Sequence, residues 1–141
     1  MARNSIYVDH LRGVSLFEGL TKKQLELVAG AGSQVPLKAG AVVMKEGHIG
    51  HTAIILLSGS MVVRRNGRKL REVGVGEVLG EMALVDDQPR SATIECVTDC
   101  EVFEIIGGQF RAVLDGVPEI RNHLLAVLAG RVRELDARRY V

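Results

Sequence analysis

Most of the side chains that could do chemistry in this sequence fall in one run, Gly80-Glu81-Met82-Ala83-Leu84-Val85-Asp86-Asp87-Gln88-Pro89-Arg90-Ser91-Ala92-Thr93. Arg90 is a planar donor fork that is always charged, the group suited to pairing with two oxygens of a phosphate at once. Met82 to Val85 can form one helical turn, whose first backbone N–H groups would point at the same anion. Gly80 permits a tight entry into that turn. Ala83 is small enough to let the backbone approach, and Ser91 adds a hydroxyl beside the anion. Glu81 has a different task, because a carboxylate repels a phosphate and must face elsewhere. It is expected near Arg90, where the two charges hold each other in place while the site is empty.

Such a site needs a scaffold, and the chain can supply one. Its 141 residues fit a single domain, 1–141, able to bury a core without disulfides or metal. With 47% hydrophobic and 25% charged residues the composition is that of an ordinary globular protein. A net charge of +1 provides no global field toward nucleic acid or an anionic membrane. Cys96 and Cys100 both fall in stretches that read as extended chain. On one strand they would lie roughly 13 Å apart, too far for a disulfide without a sharp turn. They read as small buried hydrophobes in a reducing compartment. No apolar run reaches the ~18 residues of a membrane span, and no signal peptide opens the chain. The expectation is a cytoplasmic protein with no membrane partner.

The pattern along the chain divides it into three parts. Residues 1–32 are helical: Ser5 to Leu11 forms one short helix, and Thr21 looks like the N-cap of a second with Gln24 at the capping-box position. Residues 33–106 read as short strands at Val35 to Leu37, Ala41 to Met44, Thr52 to Leu57, Ser60 to Arg65, Lys69 to Val73, Ser91 to Val97 and Cys100 to Ile106. Asn66-Gly67 is a strong hairpin signal, and Thr98-Asp99 separates the last two strands. Residues 108–139 return to helix. Pro118 suits a first turn, and Ile120, Leu124, Val127, Leu128, Val132 and Leu135 form an amphipathic stripe. The fold class expected is α+β: an antiparallel, jelly-roll-like β roll of about eight strands, flanked by N-terminal helices and a long C-terminal helix.

The run from Gly80 to Thr93 resembles the phosphate-binding cassette of the cyclic-nucleotide-binding domain family. That pattern is Gly-Glu, a small helical turn rich in Ala and Leu, a short loop, then Pro-Arg, a small residue, Ala, and Thr or Ser. Each position matches here at the family's spacing, and the resemblance extends from Leu16 to about Asp136. It implies that Arg90 holds a cyclic phosphate and that Glu81 accepts a hydrogen bond from the ribose 2′-hydroxyl. Gly80, Met82, Ala83, Ser91 and Ala92 complete the wall. Val63, Leu70, Leu79 and Met82 are candidates to line an apolar slot for the base, although each also suits plain core packing. The ligand implied is cAMP, with cGMP not excluded. Relatives that prefer cGMP often carry Thr where this chain has Ser91. No separate cofactor is implied.

In this family the final helix folds over the pocket and reports binding, and in one branch it packs against its twin. Arg131 lies on or beside the apolar stripe, four residues from Val127 and Leu135. It reaches either the nucleotide or a partner helix, or else snorkels with its stem over apolar surface. The catabolite-activator branch places two hydroxyl residues at the end of this helix against adenine. Those places hold Leu135 and Asp136 here, a departure that puts that base contact in doubt.

The four histidines, His10, His48, His51 and His123, are scattered and read as surface or loop residues. Arg64-Arg65 and Arg68-Lys69 crowd a hairpin tip and read as a solvated turn. No metal cluster or activated nucleophile suggests an enzyme. Too few residues follow Leu135 for a DNA-reading helix-turn-helix, so direct DNA binding is not expected of this chain. The expectation is a ligand sensor that moves its C-terminal helix for a downstream protein, with a homodimer through that helix as a further partner. The alternative is the sensing fragment of a longer transcription regulator, channel or other effector.

Overall fold

The computed structural model describes residues 2–139. Met1, Tyr140 and Val141, which the expected domain 1–141 includes, lie outside the described residues. Helix α1 (Ala2–Arg12) leads through a 3-10 turn (Ser15–Phe17) into α2 (Lys22–Ala29). Strands β1 (Gly32–Leu37), β2 (Val42–Met44), β3 (Thr52–Ser58), β4 (Met61–Arg65), β5 (Arg68–Val73) and β6 (Val78–Leu79) follow. A second 3-10 turn (Glu81–Leu84) precedes β7 (Thr93–Cys96) and β8 (Cys100–Ile106). Helices α3 (Gly107–Gly116) and α4 (Pro118–Arg139) complete the described chain.

Eight antiparallel strands form two four-stranded sheets, ordered β1-β8-β3-β6 and β2-β7-β4-β5, as expected of a β roll. The strand period of two explains how one sheet serves two cores. Ile54, Leu56 and Val102 of β3 and β8, with Leu79 of β6, face the other sheet, where they meet Met61, Val63, Val73 and Ile94. Ala53, Ile55, Phe103 and Ile105 on alternate positions face the helices and pack with Leu11, Phe17, Leu25, Phe110 and Ile120. That double burial is why β3 reads as a continuous apolar run. Tyr7 stacks on Phe103 at 4.3 Å between ring centroids.

Local chemistry explains several boundaries. Thr21 caps α2 with a complete capping box, its hydroxyl accepting from Gln24 N while the Gln24 side chain accepts from Thr21 N. Asn66 and Gly67 both adopt positive φ, 52° and 77°, the conformation a tight two-residue hairpin demands. Strand β6 has only two residues, too few for a recognisable alternation.

The Thr98-Asp99 turn is a corner rather than a strand hairpin. It carries the chain from β7 in one sheet to β8 in the other, so Cys96 and Cys100 do not share a strand. The 13 Å spacing expected of one strand therefore does not apply. Both cysteines are free and buried in the core between the sheets. Burial, with a hydrogen bond to Cys100, pushes the Cys96 thiol up to about 11.

The apolar stripe of α4 divides in two. Ile120 and Leu124 are buried against the roll, and Leu128 packs partly against the same core. Val132 and Leu135, and also Leu125, are exposed. His123 pins the buried half, its Nε2 in contact with the Glu18 carbonyl. Helix α4 is thus anchored at its start and offers apolar surface toward its end.

Candidate functional site

The cassette is held from below by packing and from its sides by backbone hydrogen bonds. Gly80 enters it with φ of +73°, a left-handed conformation that a side chain would strain. The turn Glu81–Leu84 is 3-10, shifted by one residue from the expected Met82 to Val85. Ala83 N donates to Gly80 O at 3.1 Å to close it. Such a turn leaves its first two N–H groups, on Glu81 and Met82, without partners inside it. Leu84 anchors the turn in the helix-side core. Farther along, Arg90 N donates to His48 O and Gly47 N to Arg90 O, both at 2.8 Å. Asp87 ties the intervening loop to α3 through Arg111 (3.1 Å) and stands 3.6 Å from His51 Nδ1.

The Arg90 guanidinium is confined by two glycines. A methyl group at Gly50 or at Gly80 would fall on the fork. One nitrogen, Nη2, donates to Thr52 O at 2.8 Å and lies 3.3 Å from Thr52 Oγ1. Burial pulls this guanidinium below its ordinary value, and an arginine keeps its charge at neutral pH regardless. A small pocket in front of the fork is lined by Gly80, Met82, Ala83, Asp86, Gln88, Pro89, Arg90 and Ser91.

Glu81 has a different partner from the one expected. Among the described residues it forms no ion pair with Arg90. Its Oε1 stands 3.9 Å from Arg131 Nη1, from the exposed half of α4, and the same Nη1 lies 3.9 Å from Met82 Sδ. The 3-10 turn carries Glu81 toward α4, whereas Arg90 is directed between Gly50 and Gly80 onto the start of β3. Glu81 Oε2 is buried and has no hydrogen-bond partner. Burial raises the Glu81 carboxyl above its ordinary 4.5, and the Arg131 charge partly opposes that rise. An unsatisfied buried carboxylate oxygen is costly and implies a missing donor.

The structure brings Gly80, Met82, Ala83, Arg90 and Ser91 around one pocket, with Glu81 and Arg131 paired beside it. Ala92 packs against the core between the sheets, and Val63 and Leu79 are buried within it. Leu70 stands apart on β5, 52% exposed. Gly50 and Thr52, which fix the Arg90 fork, carry no sequence signal for that role beyond a glycine two residues before a strand.

A fold of two four-stranded sheets with a cassette at its edge invites comparison with known proteins. The family model for the cyclic nucleotide-binding domain matches residues 34–116, more than half of the chain. The chain belongs to the cyclic nucleotide-binding domain family. Within it, this domain is 29% identical to the cyclic AMP receptor protein of Thermus thermophilus, over 89% of the chain and 61% of that protein. It is 36% identical to a cGMP-dependent protein kinase of Toxoplasma gondii, over 82% of the chain but 11% of the kinase. This cyclic nucleotide-binding domain thus spans less than two thirds of those curated relatives. Among solved structures, the N-terminal domain of a transcriptional regulator from Streptomyces coelicolor superposes with a TM-score of 0.85 at 28% identity. That likeness covers 94% of this chain and 96% of that one.

Proposed function

We propose that this domain is a sensor for a 3′,5′-cyclic nucleotide, cAMP in preference to cGMP, and that binding is reported by α4. The observation that carries the reading is Glu81, whose Oε2 is buried without a donor while its Oε1 faces Arg131 of α4. A ribose 2′-hydroxyl supplies the missing donor. Arg90 and the N–H groups of the 3-10 turn, with Gly80 and Ala83 allowing close approach, receive the cyclic phosphate. Ser91 and Ala92 close that wall. The base lies toward the β4–β5 side, where Leu70 and Met82 have exposed apolar surface, while Val63 and Leu79 are buried in the core between the sheets.

Because Glu81 sits between the pocket-lining Gly80 and Met82 and faces Arg131 of α4, a ligand that repositions it changes the energy of the helix pose. This is the differential contact that a population shift requires. Hydrogen exchange over residues 125–135 is expected to change on saturation with cAMP. Identical exchange with and without nucleotide contradicts the coupling to α4. The proposed role is binding without turnover, in the cytoplasm, and with a downstream protein as the reader.

The base preference leans on Ser91 and on the Thermus relative, which is described as a cyclic AMP receptor protein. The expected result for Ser91→Thr is a rise in affinity for cGMP relative to cAMP. A competition titration that leaves this ratio unchanged refutes the assignment of Ser91 to base choice.

A second reading is favoured by one observation, the likeness to a transcriptional regulator's N-terminal domain. On that reading the chain is the sensing part of a longer effector. Leu125, Val132 and Leu135 of α4, which are exposed, would then be covered by a second copy of the same helix.

A further inference from the structure

The basic tip of the β4–β5 hairpin reads as a solvated turn, yet one of its arginines is fastened to the cassette. Pairing between β4 and β7 stops at Arg64↔Thr93. One residue farther, the Arg65 side chain takes over from the main chain, its Nε donating to Ser91 O at 2.8 Å. A register shift between Val63 and Arg64 in the β4–β5 pairing accompanies this change, and such bulges re-aim the side chains beside them.

A second tie lies alongside. Asn66 N at the hairpin tip donates to Glu46 Oε1 at 3.0 Å, and Glu46 N donates to Thr93 Oγ1 at 3.1 Å. The stretch from Arg90 to Thr93 is therefore clasped from two directions. The β2–β3 loop holds the Arg90 backbone, and the hairpin tip holds Ser91. Arg64, the neighbouring cation, instead faces Glu95 at 3.7 Å. Arg65 is the hairpin arginine that meets the cassette backbone.

We infer that Arg65 is a positioning residue of the nucleotide site: by holding the Ser91 carbonyl it sets where the Ser91 hydroxyl stands. The inference rests on the proposed function and adds to it a residue outside the cassette. The geometry needs one donor from a cation, not a bidentate fork, so lysine is a partial substitute whereas leucine is not. Arg65 is exposed and lies at a hairpin tip, where substitutions perturb overall stability little.

The test is calorimetric titration of wild type, Arg65→Leu and Arg65→Lys with cAMP, each also in a Ser91→Ala background, alongside thermal unfolding. Expected is a loss of about 3- to 10-fold in affinity for Arg65→Leu, largely restored in Arg65→Lys, with Tm within about 2 °C of wild type. The loss should shrink in the Ser91→Ala background, because the group being positioned is gone. Unchanged affinity in Arg65→Leu overturns the inference. So does a loss equal in both backgrounds, which would mark a direct charge effect, or a loss that only tracks a fall in Tm. If wild type itself binds neither cAMP nor cGMP, the underlying reading fails and the inference falls with it.

Discussion

Replacing Arg90 with alanine is expected to weaken cAMP binding by about 2–5 kcal/mol, or roughly 30-fold to several thousand-fold. The size of the effect follows from what stays behind. The phosphate would still be drawn into a pocket lined by Gly80, Met82 and Ala83, but without the one side chain there that carries positive charge. Backbone N–H groups can solvate an anion but cannot neutralise it. The loss should be specific to binding. Arg90 also donates to Thr52 O, so a modest drop in Tm is expected, of the size of one hydrogen bond, about 1 kcal/mol. Isothermal titration calorimetry on a variant confirmed as folded is the check. Affinity equal to wild type would remove Arg90 from the site.

The second large effect concerns Glu81. Glu81→Ala is expected to cost about 1.5–3 kcal/mol in cAMP affinity, the range for one hydrogen bond to a charged group. The variant should also lose the ability to tell cAMP from 2′-deoxy-cAMP. If it still binds the deoxy ligand far more weakly than cAMP, Glu81 is not the ribose contact.

The same residue predicts a pH dependence. Burial raises the Glu81 carboxyl above 4.5, against the opposing Arg131 charge, and the protonated form is a poorer acceptor for a hydroxyl. Wild-type affinity should therefore fall as pH drops through the raised value, beginning at higher pH than an ordinary carboxylate would cause. Glu81→Gln should be flat over that window. Stability runs the other way. The folded state holds this proton to higher pH than the unfolded chain does, so the ionised form opposes folding, and its cost is relieved as pH falls through the raised value. Glu81→Gln is accordingly expected to bind weakly without lowering Tm at neutral pH. Thermal unfolding and titration on one sample separate the two effects.

Much of this architecture was legible because its signals are local. The capping box at Thr21 and Gln24, the Asn66-Gly67 hairpin and the helical start at Pro118 each depend on neighbours within a few residues. The cassette residues were legible for a similar reason. They are contiguous, and their order resembles the family's phosphate-binding cassette.

What could not be read is what depends on distant chain. The Thr98-Asp99 turn separates two strands, but a local turn signal does not say which sheet the next strand joins. Strand β6 was too short to show a period. Helical spacing put Arg131 on the stripe, but nothing within α4 indicates that its partner is Glu81, fifty positions earlier. The preference of Arg90 for Thr52 and the slot between Gly50 and Gly80 arise only when the β2–β3 loop folds over the cassette. The basic hairpin tip looked like a solvated turn, because the carbonyl that Arg65 meets belongs to a segment 26 residues away.

The central claim is that the cassette receives a cyclic phosphate and its ribose. The most direct test is a calorimetric titration of the chain with cAMP and, separately, with 5′-AMP, which keeps base and ribose but opens the phosphate ring. The account predicts saturable binding of cAMP at one site per chain and markedly weaker binding of 5′-AMP, whose extra charge and open shape the pocket does not match. No binding of cAMP, or equal affinity for the two ligands, would contradict it.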